Sequence, residues 1–202
     1  MRLVVQELQS ESPMDTMAAS AQPGAAAPAT KAELADVLCD FRTESGRTML
    51  ELVDESPVLL MFLRHFGCAF CRQTLDQVSQ IRNEIAVRGV RPVFVHLGTP
   101  ERAKPFFDYY QLTDVERVSN PEGTLYRHPV FHLWRQPVYM QLFSPKVWKG
   151  WLGGALKKYG VSSIEEDGQQ MPGVFFLKER KIANVFHYRT IADEPDYLKL
   201  IG

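Results

Sequence analysis

Two cysteines, Cys68 and Cys71, stand three positions apart in Gly67-Cys68-Ala69-Phe70-Cys71, after an apolar run and at the head of an amphipathic stretch. At the start of a helix this spacing lets two thiols meet, and the unpaired N–H groups there, a partial charge of about +0.5, favour thiolate over thiol. Cys68, expected to be the more exposed sulfur, is the nucleophile of this reading, attacking a disulfide or a peroxide oxygen. Cys71, one turn in, is expected to resolve the mixed disulfide or sulfenic acid, leaving a Cys68–Cys71 bond. Arg64 and His65 just upstream, and Arg72 inside the helix, are placed to add positive potential.

The same spacing occurs in closed zinc sites, which need four ligands. This chain has no second Cys-x-x-Cys, and Pro129 interrupts any helix that would align His128 with His132. The balance falls to redox chemistry with no metal and no bound cofactor. The alternative is a non-enzymatic binding module whose cysteines form a redox switch or hold a metal. Cys39, the third cysteine, is expected to be a small buried hydrophobe. His96 and His187 fall in strand patterns and read as core or sheet-edge residues. Trp148 and Trp151 are weaker candidates for an apolar groove above the cysteines.

The elements that must position these groups follow from hydrophobic period. Pro57 to Leu63 is a continuous apolar run of strand length, and continuous apolarity marks a strand covered on both faces. From Cys71 to Arg88, Leu75, Val78, Ile81 and Ile85 recur at helical spacing, with Gly89 as the stop. Arg91 to Leu97 is a second buried strand, which completes a βαβ unit and implies parallel pairing. Before the unit, Leu34, Val37, Leu38 and Phe41 predict a helix and Thr48 to Leu52 a short strand. After it, Pro100 to Tyr110 reads as a helix and Val115 to Val118 as a strand. Trp148, Leu152 and Leu156 mark a helix face in an aromatic-rich middle read chiefly as core. Gly173 to Leu177 and Ile182 to His187 form a hairpin around Lys178 to Lys181, and a helix closes the chain from Ile191 onward.

The chain has 202 residues, 45% of them hydrophobic and 23% charged, which suits one globular domain. Residues 1–30, rich in Ala and Pro, read as a flexible leader, and Met14 and Met17 are alternative starts that would remove much of it. Residues 31–202 form the domain. A net charge of -1 gives no long-range field to gather nucleic acid or lipid, so partners must be recognised locally; neither nucleic acid nor membrane is expected among them. No apolar run is long enough for a membrane span. Gln6, Glu7 and Glu11 interrupt any secretory signal, and three cysteines are not a disulfide scaffold, so a reducing, cytoplasmic location is expected.

The segment Phe62-Leu63-Arg64-His65-Phe66-Gly67-Cys68-Ala69-Phe70-Cys71 resembles the active-site stretch of peroxiredoxin-like proteins related to alkyl hydroperoxide reductase and selenoprotein L, including the prostamide/prostaglandin F synthase branch. Asn120 to Tyr126 is similar to a second family segment. Gln170 to Leu177, with Ile182, His187 and Ala192-Asp193-Glu194-Pro195, is similar to a third, so the likeness spans Leu34 to Gly202. It implies a thioredoxin-like α/β fold, a central mixed sheet with helices on both faces. It also implies a Met171-Pro172 loop facing the cysteines, with Pro172 in cis and the Met171 backbone open to an incoming strand. The implied activity is reduction of a small peroxide or a disulfide, with electrons returned by thioredoxin, glutathione or a similar external thiol. Two positions depart from the pattern. His65 stands where these proteins carry a Thr or Ser that helps bind peroxide, and the acidic-glycine element survives only as Asp167-Gly168-Gln169-Gln170.

Overall fold

In a computed structural model, which describes residues 30–202, β1 (Val58–Phe62) is buried along its whole length at the centre of a five-stranded sheet. Strand β2 (Arg91–His96) pairs parallel to β1, and β3 (Glu116–Ser119) parallel to β2. On the other side β4 (Gly173–Lys178) runs antiparallel to β1, and β5 (Lys181–His187) antiparallel to β4, giving the order β3-β2-β1-β4-β5. The β4–β5 turn places Glu179 and Arg180 at φ 54° and 56°, the doubly left-handed backbone of a tight hairpin. The sheet is mixed, as expected.

Alternation along β1 divides the core in two. Leu59 and Met61 face the long helix α3 (Ala69–Val87) through Leu75, Val78 and Ile85, with Phe107 of α4 (Pro100–Tyr109) and Tyr197 of the last helix (Tyr197–Ile201) in the same layer. Val58, Leu60 and Phe62 face the opposite layer, built on α1 (Lys31–Asp40), α2 (Met49–Glu55) and α5 (Thr124–Arg127). Helices therefore cover both faces, and β1–α3–β2 is the expected βαβ unit with parallel strands. Helix α3 stops at Gly89, whose φ of 69° a side chain would strain.

The remaining chain corrects several expectations. Thr48 to Leu52 enters a helix rather than a strand: the Thr48 hydroxyl accepts from Glu51 N–H, the Glu51 carboxylate accepts from Thr48 N–H, and this reciprocal cap starts α2. Cys39 is exposed, because the buried stripe of α1 runs through Leu34, Val37 and Leu38 and leaves position 39 off it. The aromatic middle divides. Tyr126 and Phe131 are core, whereas Tyr139, Phe143 and Trp148 are exposed on the short helices α6 (Val138–Leu142) and α7 (Pro145–Gly150). A π turn (Trp151–Ala155) with Gly154 at φ 113° joins α7 to α8 (Leu156–Tyr159), and α9 starts only at Tyr197. Among the described residues no helix is long and apolar enough to cross a membrane. Apart from Thr30, which caps α1, the leader expected at residues 1–30 lies outside the described residues.

Candidate active site

The site lies where the parallel strand β1 ends, the usual place for chemistry in an open α/β sheet. The chain leaves β1 at Phe62, turns through Leu63 to Gly67 with Cys68 N–H donating to His65 O (3.1 Å), and enters α3. Cys68 is the residue that caps α3 (φ -86°, ψ 124°), and Cys71 lies in the first turn. Gly67 is required there: a Cβ would stand 2.5 Å from Ser163 O and 2.7 Å from Ser162 O. The turn is anchored from below by Tyr126, whose buried hydroxyl donates to Leu63 O and contacts Val95 O (3.0 Å).

Both thiols are reduced and buried, Cys68 at 6% exposure and Cys71 at 4%. Cys68 is the more exposed by a small margin only. Its sulfur borders a cleft of about 20 Å³ also lined by Arg64, Cys71, Pro172 and Tyr188. That space holds about one water-sized molecule.

The electrostatics divide the two sulfurs. Cys68 is drawn down to about 5 from the usual thiol value, first by the Cys71 thiol donating to it, then by the Arg64 charge and the Cys71 and Phe70 amides, against the opposing effect of burial. Cys71 moves the other way, raised by its bond to the Cys68 sulfur and by burial. One sulfur is shifted towards thiolate and the other towards thiol, the division that a nucleophile and a resolving group require.

Arg64 is the organising cation. Its Nη1 lies 3.5 Å from Cys68 Sγ, and its backbone N–H donates to Cys71 Sγ (3.4 Å). The rest of the guanidinium donates to Gln170 O (2.8 Å), Gln141 Oε1 (2.7 Å) and Gly168 O. His65 supplies no charge: burial, and then Arg64 and Arg72, lower it to about 3, and its Nδ1 is buried without a partner. Nor is Arg72 spent on the cysteines. It donates to Phe66 O, Tyr159 O and Ser162 Oγ (2.7–2.8 Å), stapling the 159–162 loop over the turn.

Pro172 is buried beside both cysteines in the cleft, as the resemblance implies, but the described residues contain no cis peptide bond. The trans peptide carries Met171 straight into β4. The slot expected to receive an incoming strand is filled by the chain itself: Met171 N–H donates to Trp134 O (3.1 Å), and Arg135 forms a bridge with Gln170. The Gln170 amide pins this strap from beneath, donating to Leu133 O and Trp134 O (3.1 Å each). Trp148 and Trp151 pack on each other, 5.4 Å between ring centroids, and do not line the cysteine cleft.

Gln141 and Gln170 were not singled out as site residues by sequence reasoning, yet they hold Arg64 and the strap. The one available signal was Gln141, a lone amide within the apolar run Val138 to Phe143. His96 is buried and structural, with Nδ1 against Gly98 O and Nε2 against Glu44 (2.9 Å each), and His187 ends the edge strand. Among the described residues no group of three or more His, Cys, Asp or Glu is arranged to hold a metal ion.

No family model and no curated protein matches the chain. Solved structures do match. Peroxidoxin BcpB from Mycobacterium tuberculosis aligns over 80% of this chain and 89% of its own, at 14% identity and a TM-score of 0.52. Peroxiredoxin Q of Xanthomonas campestris aligns over 78% and 86%, at 12% identity and 0.55. Peroxiredoxin 6 of Arenicola marina aligns over 80% and 66%, at 12% identity and 0.55. With the mixed sheet, these likenesses show that the chain has an α/β fold of the thioredoxin-like kind.

Proposed function

We propose that the protein is a thiol-dependent oxidoreductase that reduces a small peroxide through a Cys68/Cys71 dithiol–disulfide cycle. The observation that carries this reading is geometric: both sulfurs lie at one helix start, with Arg64 Nη1 3.5 Å from Cys68 Sγ and the Arg64 N–H on Cys71 Sγ, an arrangement that lowers Cys68 and leaves Cys71 raised. The Cys68 thiolate attacks one peroxide oxygen and the O–O bond breaks. The departing alkoxide or hydroxide takes a proton from solvent, leaving Cys68 as sulfenic acid. The Cys71 thiol then attacks that sulfur, water leaves, and the Cys68–Cys71 disulfide forms. An external thiol of the thioredoxin or glutathione class returns two electrons and two protons by thiol–disulfide exchange.

Two features favour peroxide over a protein disulfide as oxidant. The cleft has room for about one water-sized molecule, too little for a protein segment, and the backbone of Met171 is already paired with Trp134. At position 65 a neutral histidine stands in place of the hydroxyl. Orientation of the peroxide then falls to Arg64 and the amides at the start of α3. A single-turnover experiment with Cys71→Ser tests the scheme. Hydrogen peroxide should convert Cys68 to a sulfenic acid that a cyclic diketone traps, with one equivalent of peroxide consumed and no internal disulfide. Unchanged disulfide-free cycling, or no oxidation of Cys68, would contradict it.

A further inference from the structure

We propose that the segment from residue 138 to 164 is a docking face for an anionic lipid surface. This goes beyond the thiol chemistry and does not depend on it. Among the described residues, thirteen large apolar side chains are left exposed, and ten of them fall in this segment. Leu152 is 85% exposed, Phe143 81%, Tyr139 and Val161 62% each, and Trp148 52%. Such a concentration on a water-facing surface marks a face that something covers.

Local geometry gathers these side chains. The Trp148 indole N–H donates to Leu142 O (2.6 Å), tying α7 back to the end of α6, and its ring packs against Trp151. Leu152 follows Trp148 by four residues, and Leu156 opens α8 beyond the break at Gly154, so the one helix face expected through Trp148, Leu152 and Leu156 is divided in two, with all three side chains left exposed. At the other end Val138 and Ile164 both lie against Gly168.

The charge says what covers the face. From Pro137 to Ser163 the chain has four lysines and no acidic residue, in a protein whose net charge is -1. Lys146 and Lys158 are partnered by Asp193 and Asp76, whereas Lys149 and Lys157 have no acidic partner among the described residues. All four line one open cavity beside the π turn. Exposed Trp, Tyr, Phe and Leu with interspersed lysines is the composition of a face that lies in the headgroup boundary of an acidic bilayer. Each lysine near such a surface contributes about 1 kcal/mol. The cavity shares Gln73 and Glu194 with the cysteine cleft, so a docked molecule carries its thiols beside the lipid surface.

Vesicle flotation with the full chain tests this. Binding is expected to vesicles that mix phosphatidylserine into phosphatidylcholine, not to phosphatidylcholine alone, and added salt should weaken it. A blue shift of tryptophan emission that Trp148→Phe reduces should accompany it. The pair Lys149→Ala and Lys157→Ala should bind roughly thirtyfold more weakly, at about 1 kcal/mol per lysine. Leu152→Asp, at a side chain outside both packed layers, should lose binding while its melting curve is unchanged. No flotation with either vesicle, equal flotation with both, or binding indifferent to these substitutions would overturn the proposal. So would concentration-dependent self-association abolished by Leu152→Asp, which would assign the face to a second copy.

Discussion

The Nη1 of Arg64 stands 3.5 Å from the sulfur of Cys68, at the end of a guanidinium whose other nitrogens are held by the carbonyls of Gln170 and Gly168 and the side chain of Gln141. The charge beside the Cys68 sulfur is thus fixed in direction before any substrate arrives. A preorganised cation costs no reorientation when charge moves during reaction. It also couples the cysteines to the chain after α6, because the same planar fork closes the loop from residue 168 to 170 over the site.

From this follows the behaviour of two Arg64 variants. Arg64→Met should raise the pH at which Cys68 is half ionised and slow its oxidation at neutral pH. It should also lower stability by about 1–3 kcal/mol, for the buried carbonyls left unpaired. Arg64→Lys should keep more of the ionisation shift but little of the stability, because a single ammonium cannot serve the fork's several acceptors. Thiolate absorbance against pH, with denaturant melts of each variant, checks both. Identical titrations for wild type and Arg64→Met would rule the coupling out.

The strap from Leu133 to Arg135 predicts size selection. Gln170→Ala removes the two bonds that pin Leu133 and Trp134 beneath Met171, freeing the backbone slot. Reaction of Cys68 with a bulky aromatic disulfide should then accelerate several-fold relative to its reaction with hydrogen peroxide. The ratio of the two rates in stopped flow is the readout, and an unchanged ratio would mean that the strap does not gate the site.

His65 predicts a pH effect on stability. Burial lowers it to about 3 from 6.5, so between these values the unfolded chain binds a proton that the folded chain does not. Its depressed value therefore makes stability fall as pH drops from about 6.5 towards 3. His65→Gln should flatten that part of the stability curve while leaving the neutral region similar in slope. Urea midpoints measured across this range would contradict the assignment if the two slopes coincide.

Much of the framework could be read from the chain before any coordinates. A continuous apolar run gave β1, a 3.6-residue period gave α3, and the spacing of Cys68 and Cys71 put them at the junction of the two, where they lie. These signals are local, and both packing layers agree with them. Thr48 to Leu52 is apolar enough to read as a short strand, but the reciprocal cap of Thr48 with Glu51 is a helix start and decides the segment. Residue type alone puts Cys39 in the interior, whereas the phase of Leu34, Val37 and Leu38 places it off the buried stripe. The web around Arg64 was beyond reach for another reason: Gln141 and Gln170 come from 77 and 106 residues further along, and only the closed sheet brings them together. The strap beneath Met171 is hidden in the same way, since its residues carry no strand signal of their own.

The account stands on Cys68 being a thiolate at neutral pH, and direct titration of that sulfur tests it most closely. With Cys39→Ser as background, so that the exposed thiol does not interfere, the ionisation of the reduced pair should show one step near pH 5 from Cys68, with Cys71 ionising only above the usual thiol range. Alkylation of Cys68 by a small neutral reagent should follow the same curve. A first ionisation at or above about 8.5, the ordinary value for a cysteine, would contradict the account, because the sulfur would then be an unactivated thiol.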